Sequence, residues 1–178
     1  MKDILEKEIL ILDGAMGTMI QSCNLTEKDY RGDLFIDHPC DLQGNNDLLT
    51  LTQPNIIKQI HKKYLNAGAD IITTNTFNAT SISQADYQME SIVYDLNKQS
   101  ALIAKQAIME MGFKKSSNPR FVCGSLGPTN KTASMSPDVS NPAYRNVNFE
   151  ELVYAYKEQV KGLIDGGVDL ILIETVFD

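Results

Sequence analysis

The chain has 178 residues, is 43% hydrophobic and 22% charged, and carries a formal net charge of −7. That profile belongs to a globular domain with room for one substantial core, and its acidic balance argues against a general nucleic-acid or anionic-membrane surface. Three scattered cysteines, Cys23, Cys40 and Cys123, exclude a disulfide framework. The start, MKDILEKEILILDG, mixes acids and bases and reads as no signal peptide, so cytoplasm is the expected compartment.

The first apolar run, ILILDG, ends on Asp13 and predicts a strand from Ile9 to Asp13. Gly14-Ala15-Met16-Gly17 follows; it lacks both the G-x-G-x-x-G spacing and a P-loop lysine, and a long irregular stretch then runs to Thr52. From Gln53 to Leu65, Ile56, Ile57, Ile60 and Tyr64 recur at helical spacing, and Pro54 suits a first turn. GADIITTNTF, Gly68 to Phe77, is a second strand. A helix is predicted from about Glu90 to Met111 on the stripe Ile92, Val93, Leu96, Ile103, Ala107 and Met111, closed by Gly112. FVCGS, ending on Ser125, is a third strand. Asn148, with Glu151 three residues on, predicts the N-cap of another helix. Its expected buried face is Leu152, Val153, Tyr156, Val160 and Leu163, and Gly166 ends it. The last run, GVDLILIETVF, is a fourth strand that repeats the pattern of GADIITTNTF, so Glu174 corresponds to Asn75.

These runs are apolar without strict alternation, as in parallel strands covered on both faces. Each delivers a polar residue to its C-terminal end: Asp13, Asn75, Ser125 and Glu174. Active sites of (β/α)₈ barrels form at those ends, and eight units need roughly 200 or more residues. The predicted fold is therefore α/β, the first half of a TIM barrel, with about four βα units. On this reading the chain is not a whole protein. The edges at Ile9 to Asp13 and Asp169 to Glu174 would lie open to self-association.

Three stretches carry a resemblance: LDGAMGTMIQ, HPCDLQGNNDLLTLTQPNIIKQIHKKYLNAGADIITTNTFNAT, and GSLGPTNKTASMSPDVSNPAYRNVNFEELVYAYKEQVKGLIDGGVDLILIETVFD. They resemble the homocysteine-binding module of cobalamin-dependent methionine synthases, within the homocysteine S-methyltransferase family, over about Ile9 to Asp178. The resemblance implies residues 1–178 as a partial homocysteine-binding domain without the second half of its barrel. It also implies methyl transfer from methylcobalamin, recharged by methyltetrahydrofolate, to homocysteine, giving methionine. Zinc, held by three cysteines of the later strands, would activate the thiol, whereas cobalamin and folate would sit in other modules. This sequence has no adjacent cysteine pair. Cys123 reads as core, and His38 and His61 as surface or packing residues. The expectation is a chain that binds no cofactor, holds no metal and is inactive alone.

The amino-acid half of such a site remains. A substrate ammonium wants carboxylate acceptors, for which Asp13 and Glu174 are the candidates, Glu174 being favoured because it ends a nearly uncharged run; the alternative is that each caps a helix or pairs with a lysine. A substrate carboxylate wants backbone N–H groups in tight turns, which Gly14-Ala15 and Gly124-Ser125 could offer. Asn75 could bridge loops or touch substrate. Tyr30, Met16, Met19 and Phe77 could wall the pocket, although such residues are more often core. Homocysteine is the expected small-molecule partner, with weak or no binding to this chain alone. Two other readings stay open: a small α/β enzyme using GSLGPT as an anion-binding loop, and a non-catalytic half-barrel that assembles with itself or with a separate second half.

Overall fold

A computed structural model describes residues 2–113 and 119–178. The predicted second, third and fourth strands form as β1 (Ile71–Thr73), β2 (Phe121–Leu126) and β3 (Leu170–Ile173). They make one parallel sheet in the order β1-β2-β3, with Ile72 beside Val122 and Gly124 beside Ile171. Chain order and sheet order coincide. A doubly wound fold reverses its strand order at a switch point, so this sequential progression is that of a barrel wall.

The expected strand at Ile9 to Asp13 is a correction. It runs beside β1, with Asp13 N donating to Ile71 O at 2.9 Å and Ile71 N donating to Ile11 O at 3.0 Å. Only one parallel bridge, Leu12 to Ile71, results, so among the described residues three strands stand where four were expected. Among the described residues the segment has a neighbour on one side only, and Ile9 is 88% exposed. Half a ladder and little burial leave it as an edge ribbon.

Eight α-helical segments accompany the strands among the described residues: α1 (Lys2–Leu5), α2 (Met16–Gln21), α3 (Glu27–Arg31), α4 (Leu49–Thr52), α5 (Pro54–Asn66), α6 (Ser81–Gln84), α7 (Val93–Glu110) and α8 (Phe149–Asp165). The long helices α5, α7 and α8 match the predicted ones. The N-terminus of α8 is the expected capping box: Asn148 Oδ1 accepts from Glu151 N at 2.9 Å, and Glu151 Oε2 accepts from Asn148 N at 2.8 Å.

The glycine-aspartate repeat has one structural meaning at both sites. Gly68 and Gly167 take φ of +105° and +87° to turn from helix into strand, the left-handed region that glycine occupies without strain. Two residues on, Asp70 Oδ2 accepts from Ile11 N at 2.9 Å and Asp169 Oδ2 accepts from Val122 N at 2.8 Å. Each carboxylate thus pins the amide of the preceding segment and is held by a cation, Arg120 at 3.0 Å and Lys105 at 2.5 Å respectively. The repeat sets register at the N-terminal ends of the strands, away from the site.

The buried face of α8 differs from the expected one. Ala155, Gln159, Gly162 and Leu163 are buried, whereas Leu152, Tyr156 and Val160 are half-buried and Val153 is exposed. Small residues decide it. A Cβ on Gly162 would lie 2.7 Å from Tyr94 O, and one on Gly166 would lie 2.6 Å from the Ala101 Cβ. The glycines let α8 lie against α7 backbone to backbone. The larger apolar residues therefore turn outward, where Phe149, Val153, Tyr156 and Val160 line an apolar groove of about 770 Å³. Leu170, Ile171 and Leu172 on the edge strand β3 are likewise only half-buried.

One core cluster, including Ile72, Val122, Leu65 and Ala104, joins the sheet to α5 and α7. A second joins Ile20, Tyr30, Leu42, Leu48, Leu49, Ile57 and Ile60. The stretch read as irregular before Thr52 is therefore packed core, with Leu42, Leu48 and Leu49 fully buried. His61 is also fully buried, and among the described residues neither ring nitrogen has a hydrogen-bond partner. Burial pushes its pKa down to about 4. Among the described residues, no helix is long and apolar enough to cross a membrane.

Candidate functional site

At the C-terminal ends of the strands lies a cavity of about 410 Å³. It is lined by six of the seven residues singled out in the sequence: Asp13, Gly14, Ala15, Asn75, Ser125 and Glu174. The strand ends bring them together because successive parallel strands leave their polar termini on one rim. Gly124 is not brought to the cavity. A Cβ there would lie 2.9 Å from Leu163 and 3.0 Å from Ile171, so its missing side chain makes room for α8. Of the proposed walls, Met16 and Phe77 line the cavity, while Tyr30 belongs to the core and Met19 packs against it.

Asp13 follows the bridge at Leu12 and is anchored by Thr73. Its Oδ2 accepts from Thr73 N at 2.9 Å, and its Oδ1 accepts from Thr73 Oγ1 at 2.9 Å. Burial raises its pKa to about 6, overcoming those hydrogen bonds, and the charge of Glu174 adds to the rise. Glu174 leaves β3 with its backbone N donating to Leu126 O at 3.0 Å, and its Oε1 accepts from Ser125 Oγ at 2.5 Å. Thr175, directly after it, holds φ of +59°. That conformation is rare for a β-branched residue, and such strain gathers at functional sites.

A hydroxyl network fixes Ser125. Thr74 Oγ1 accepts from Ser125 N at 3.0 Å, and Thr76 Oγ1 donates to Ser125 O at 2.8 Å. Since Thr76 spends its only hydroxyl proton there, the 2.6 Å contact between the two threonine oxygens has Thr74 donating. Asn75 is a loop bridge: its Nδ2 donates to Asn46 O at 2.7 Å, and its N donates to Ser100 Oγ at 2.9 Å. The Gly14-Ala15 turn rests on Tyr64, whose hydroxyl donates to Ala15 O at 3.0 Å; a Cβ on Gly14 would lie 3.1 Å from the Tyr64 ring.

Sequence reasoning missed Asp47. It lies in the GNNDLLTLTQP stretch, is 4% exposed and lines the same cavity. Burial pushes its carboxyl up to about 7, against hydrogen bonds from the amides of Asn78 and Asp47 itself. The available signal was a single acid in an otherwise uncharged run, the feature that favoured Glu174. The lining holds three carboxyl groups and no lysine, arginine or histidine. Such a cavity suits a cationic group and disfavours phosphate.

The cysteines do not form a metal centre. Cys123 is fully buried in β2, with its thiol pushed up to about 12 by burial and by the charges of Asp13 and Glu174. Cys23 is exposed beyond α2. Among the described residues, no three His, Cys, Asp or Glu side chains are grouped to hold a metal ion.

The sequence model of the family described as homocysteine S-methyltransferase matches residues 10–178. Among solved structures, the chain is similar to the homocysteine methyltransferase MmuM from Escherichia coli. The oxidized form aligns at 23% identity with a TM-score of 0.69, over 96% of this chain and 54% of that one. For the metallated form the identity is 23% and the TM-score 0.69, over 98% and 57%. For the apo form they are 22% and 0.59, over 94% and 50%. The chain thus spans about half the length of the structures it matches, and the likeness identifies its sheet and helices as part of their fold.

Proposed function

The chain belongs to the homocysteine S-methyltransferase family, and on that premise we propose that its cavity is the amino-acid half of a homocysteine site in a methyl-transfer enzyme. One observation carries the reading: Asp13, Glu174 and the Gly14-Ala15 turn converge on a 410 Å³ cavity that has carboxylates and no basic side chain. The ammonium of the substrate binds between Asp13 and Glu174, where charge-assisted hydrogen bonds are the strong kind. Ser125 and Thr73 hold those two carboxylates in place. The substrate carboxylate meets the backbone N–H groups of Gly14 and Ala15, a turn held in place by Tyr64.

In the transfer, the substrate sulfur, as thiolate, attacks the methyl carbon. A sulfur–carbon bond forms while the bond from methyl to donor breaks with its electron pair going to the donor. The residues of this chain bind and orient the amino acid and supply no activation of the thiol. We propose a methionine synthase with cobalamin as methyl carrier, on the sequence resemblance of the segments flanking the site. With no three His, Cys, Asp or Glu side chains grouped among the described residues, the reading is that this chain by itself binds no stoichiometric zinc and transfers no methyl group. Cytoplasm remains the proposed compartment.

Titration of the chain with L-homocysteine, followed by amide chemical shifts, tests the binding reading. Weak, saturable shifts at Asp13, Gly14 and Glu174 are expected; no response at millimolar ligand would refute it. Metal analysis and a methyl-transfer assay test the rest, and zinc at one equivalent with thiolate ligation would overturn it.

A second reading concerns assembly. The outer edge of β3, the half-bridged ribbon at Leu12 and the groove on α8 are open, with Phe149 and Ile173 at least 70% exposed. We propose that a second copy of the chain covers these faces, since unpaired strand edges and apolar grooves template self-association.

A further inference from the structure

We propose that Asp47 is a third substrate-binding carboxyl, accepting a hydrogen bond from the ammonium group that Asp13 and Glu174 hold. The inference rests on the reading of the cavity as an amino-acid site and adds a residue to it.

The first argument is placement. Asp47 lies in the segment between α3 and α4 and shares the cavity lining with Asp13 and Glu174. That segment is fastened. Asn45 and Gln84 exchange side-chain hydrogen bonds at 2.7 and 3.2 Å, Asn46 O accepts from Asn75 Nδ2 at 2.7 Å, and Asn46 Oδ1 accepts from Tyr30 OH at 2.8 Å. A carboxyl on such a support is positioned before any ligand arrives, as binding sites require.

The second argument is unspent hydrogen-bonding capacity. Apart from its own amide, the donor to Asp47 is Asn78 N, at a long 3.3 Å on Oδ1. Among the described residues, no other group donates to this carboxyl. An asparagine would serve Asn78 equally well, without the cost of burying an acid. Buried polar groups are ordinarily satisfied, and a buried charge without a partner is costly. A carboxyl on a residue only 4% exposed that nonetheless lines a cavity is explained if something cationic enters.

The third argument is stoichiometry. An ammonium has three N–H donors. Asp13 and Glu174 each take one, and Asp47 offers one more carboxyl on the same lining. The surroundings of Asp47 agree: the charged side chains of its cavity are carboxyls, and the neighbouring Tyr87 phenol is pushed upward by burial and by the charges of Asp86 and Asp47. None supplies a positive charge. Burial already raises the Asp47 carboxyl to about 7, so an arriving ammonium displaces its proton near neutral pH.

The test uses carboxyl carbon chemical shifts of the ¹³C-labelled chain across a pH series. The probes are L-homocysteine and 4-sulfanylbutanoate, which differ only in the amino group. L-Homocysteine is expected to lower the Asp47 titration midpoint by about one pH unit or more, the range of an adjacent opposite charge. The desamino compound should leave it in place. Asp47→Asn should weaken L-homocysteine by about tenfold or more, the loss of a hydrogen bond between charged groups. The carboxyl titration needs no variant and stands even if Asp47→Asn fails to fold. If L-homocysteine binds and the Asp47 midpoint does not move, this inference falls while the amino-acid site stands. If L-homocysteine does not bind at all, both fall.

Discussion

Replacing Asp13 by asparagine should reverse its effect on stability between acidic and neutral pH. In the folded chain the Asp13 carboxyl is raised from 3.8 to about 6, chiefly by burial. Below 3.8 both folded and unfolded chains hold the proton, and nothing is lost. Between 3.8 and 6 the folded chain binds more protons than the unfolded one, so stability falls as pH rises, and the loss is complete above 6. At about 1.4 kcal/mol per pH unit the displacement corresponds to about 3 kcal/mol. The group is partly open to solvent, which screens the penalty to about 2 kcal/mol. Asparagine keeps one acceptor for Thr73 and forfeits the other, at a cost of about 1 kcal/mol. Asp13→Asn is thus expected to be about 1 kcal/mol less stable than the parent at pH 4 and about 1 kcal/mol more stable at pH 7.5. Urea unfolding at a series of pH values reads the difference directly. The Asp47 titration is present in both proteins and cancels. Two parallel stability curves, offset by a constant, would refute the account of Asp13 as a carboxylate held at a cost to the fold.

Three further outcomes follow from the packing. His61 is depressed to about 4 by burial, so the parent loses stability as pH falls from 6.5 toward 4, by up to about 3 kcal/mol. His61→Leu should abolish that loss in acid unfolding measurements, and an unchanged pH profile would show that the imidazole is solvated. Gly166→Val puts side-chain atoms into the 2.6 Å approach to Ala101 and Lys98 O; destabilisation of about 2–3 kcal/mol is expected in urea, and a neutral result would mean that α7 and α8 separate freely. Sedimentation across a dilution series should show a dimer at micromolar concentration, and a monodisperse monomer throughout would remove the second copy from the open faces of β3 and α8.

The sequence by itself determined which segments are helix and which are buried strand, because periodicity, caps and turn glycines act locally. Pro54, the Asn148–Glu151 box and the two glycine-aspartate turns all occupy the structural positions their chemistry dictates. It also marked Asp13, Ser125 and Glu174, since a polar residue ending an apolar parallel strand has one rim to reach. Tertiary structure decided the rest. Ile9 to Asp13 has strand composition and forms a single bridge, because a ladder needs neighbours that sequence cannot count. Apolar spacing put Val153 inside α8, yet the close approach at Gly162 and Gly166 turned that face outward. Asp47 sits in a stretch without periodicity, so its burial and its place on one lining with Asp13 and Glu174 come from long-range packing of residues 42–50 against α2, α5 and α7. Local patterns write the elements; the distances between elements, which alone make a cavity, arise when they pack.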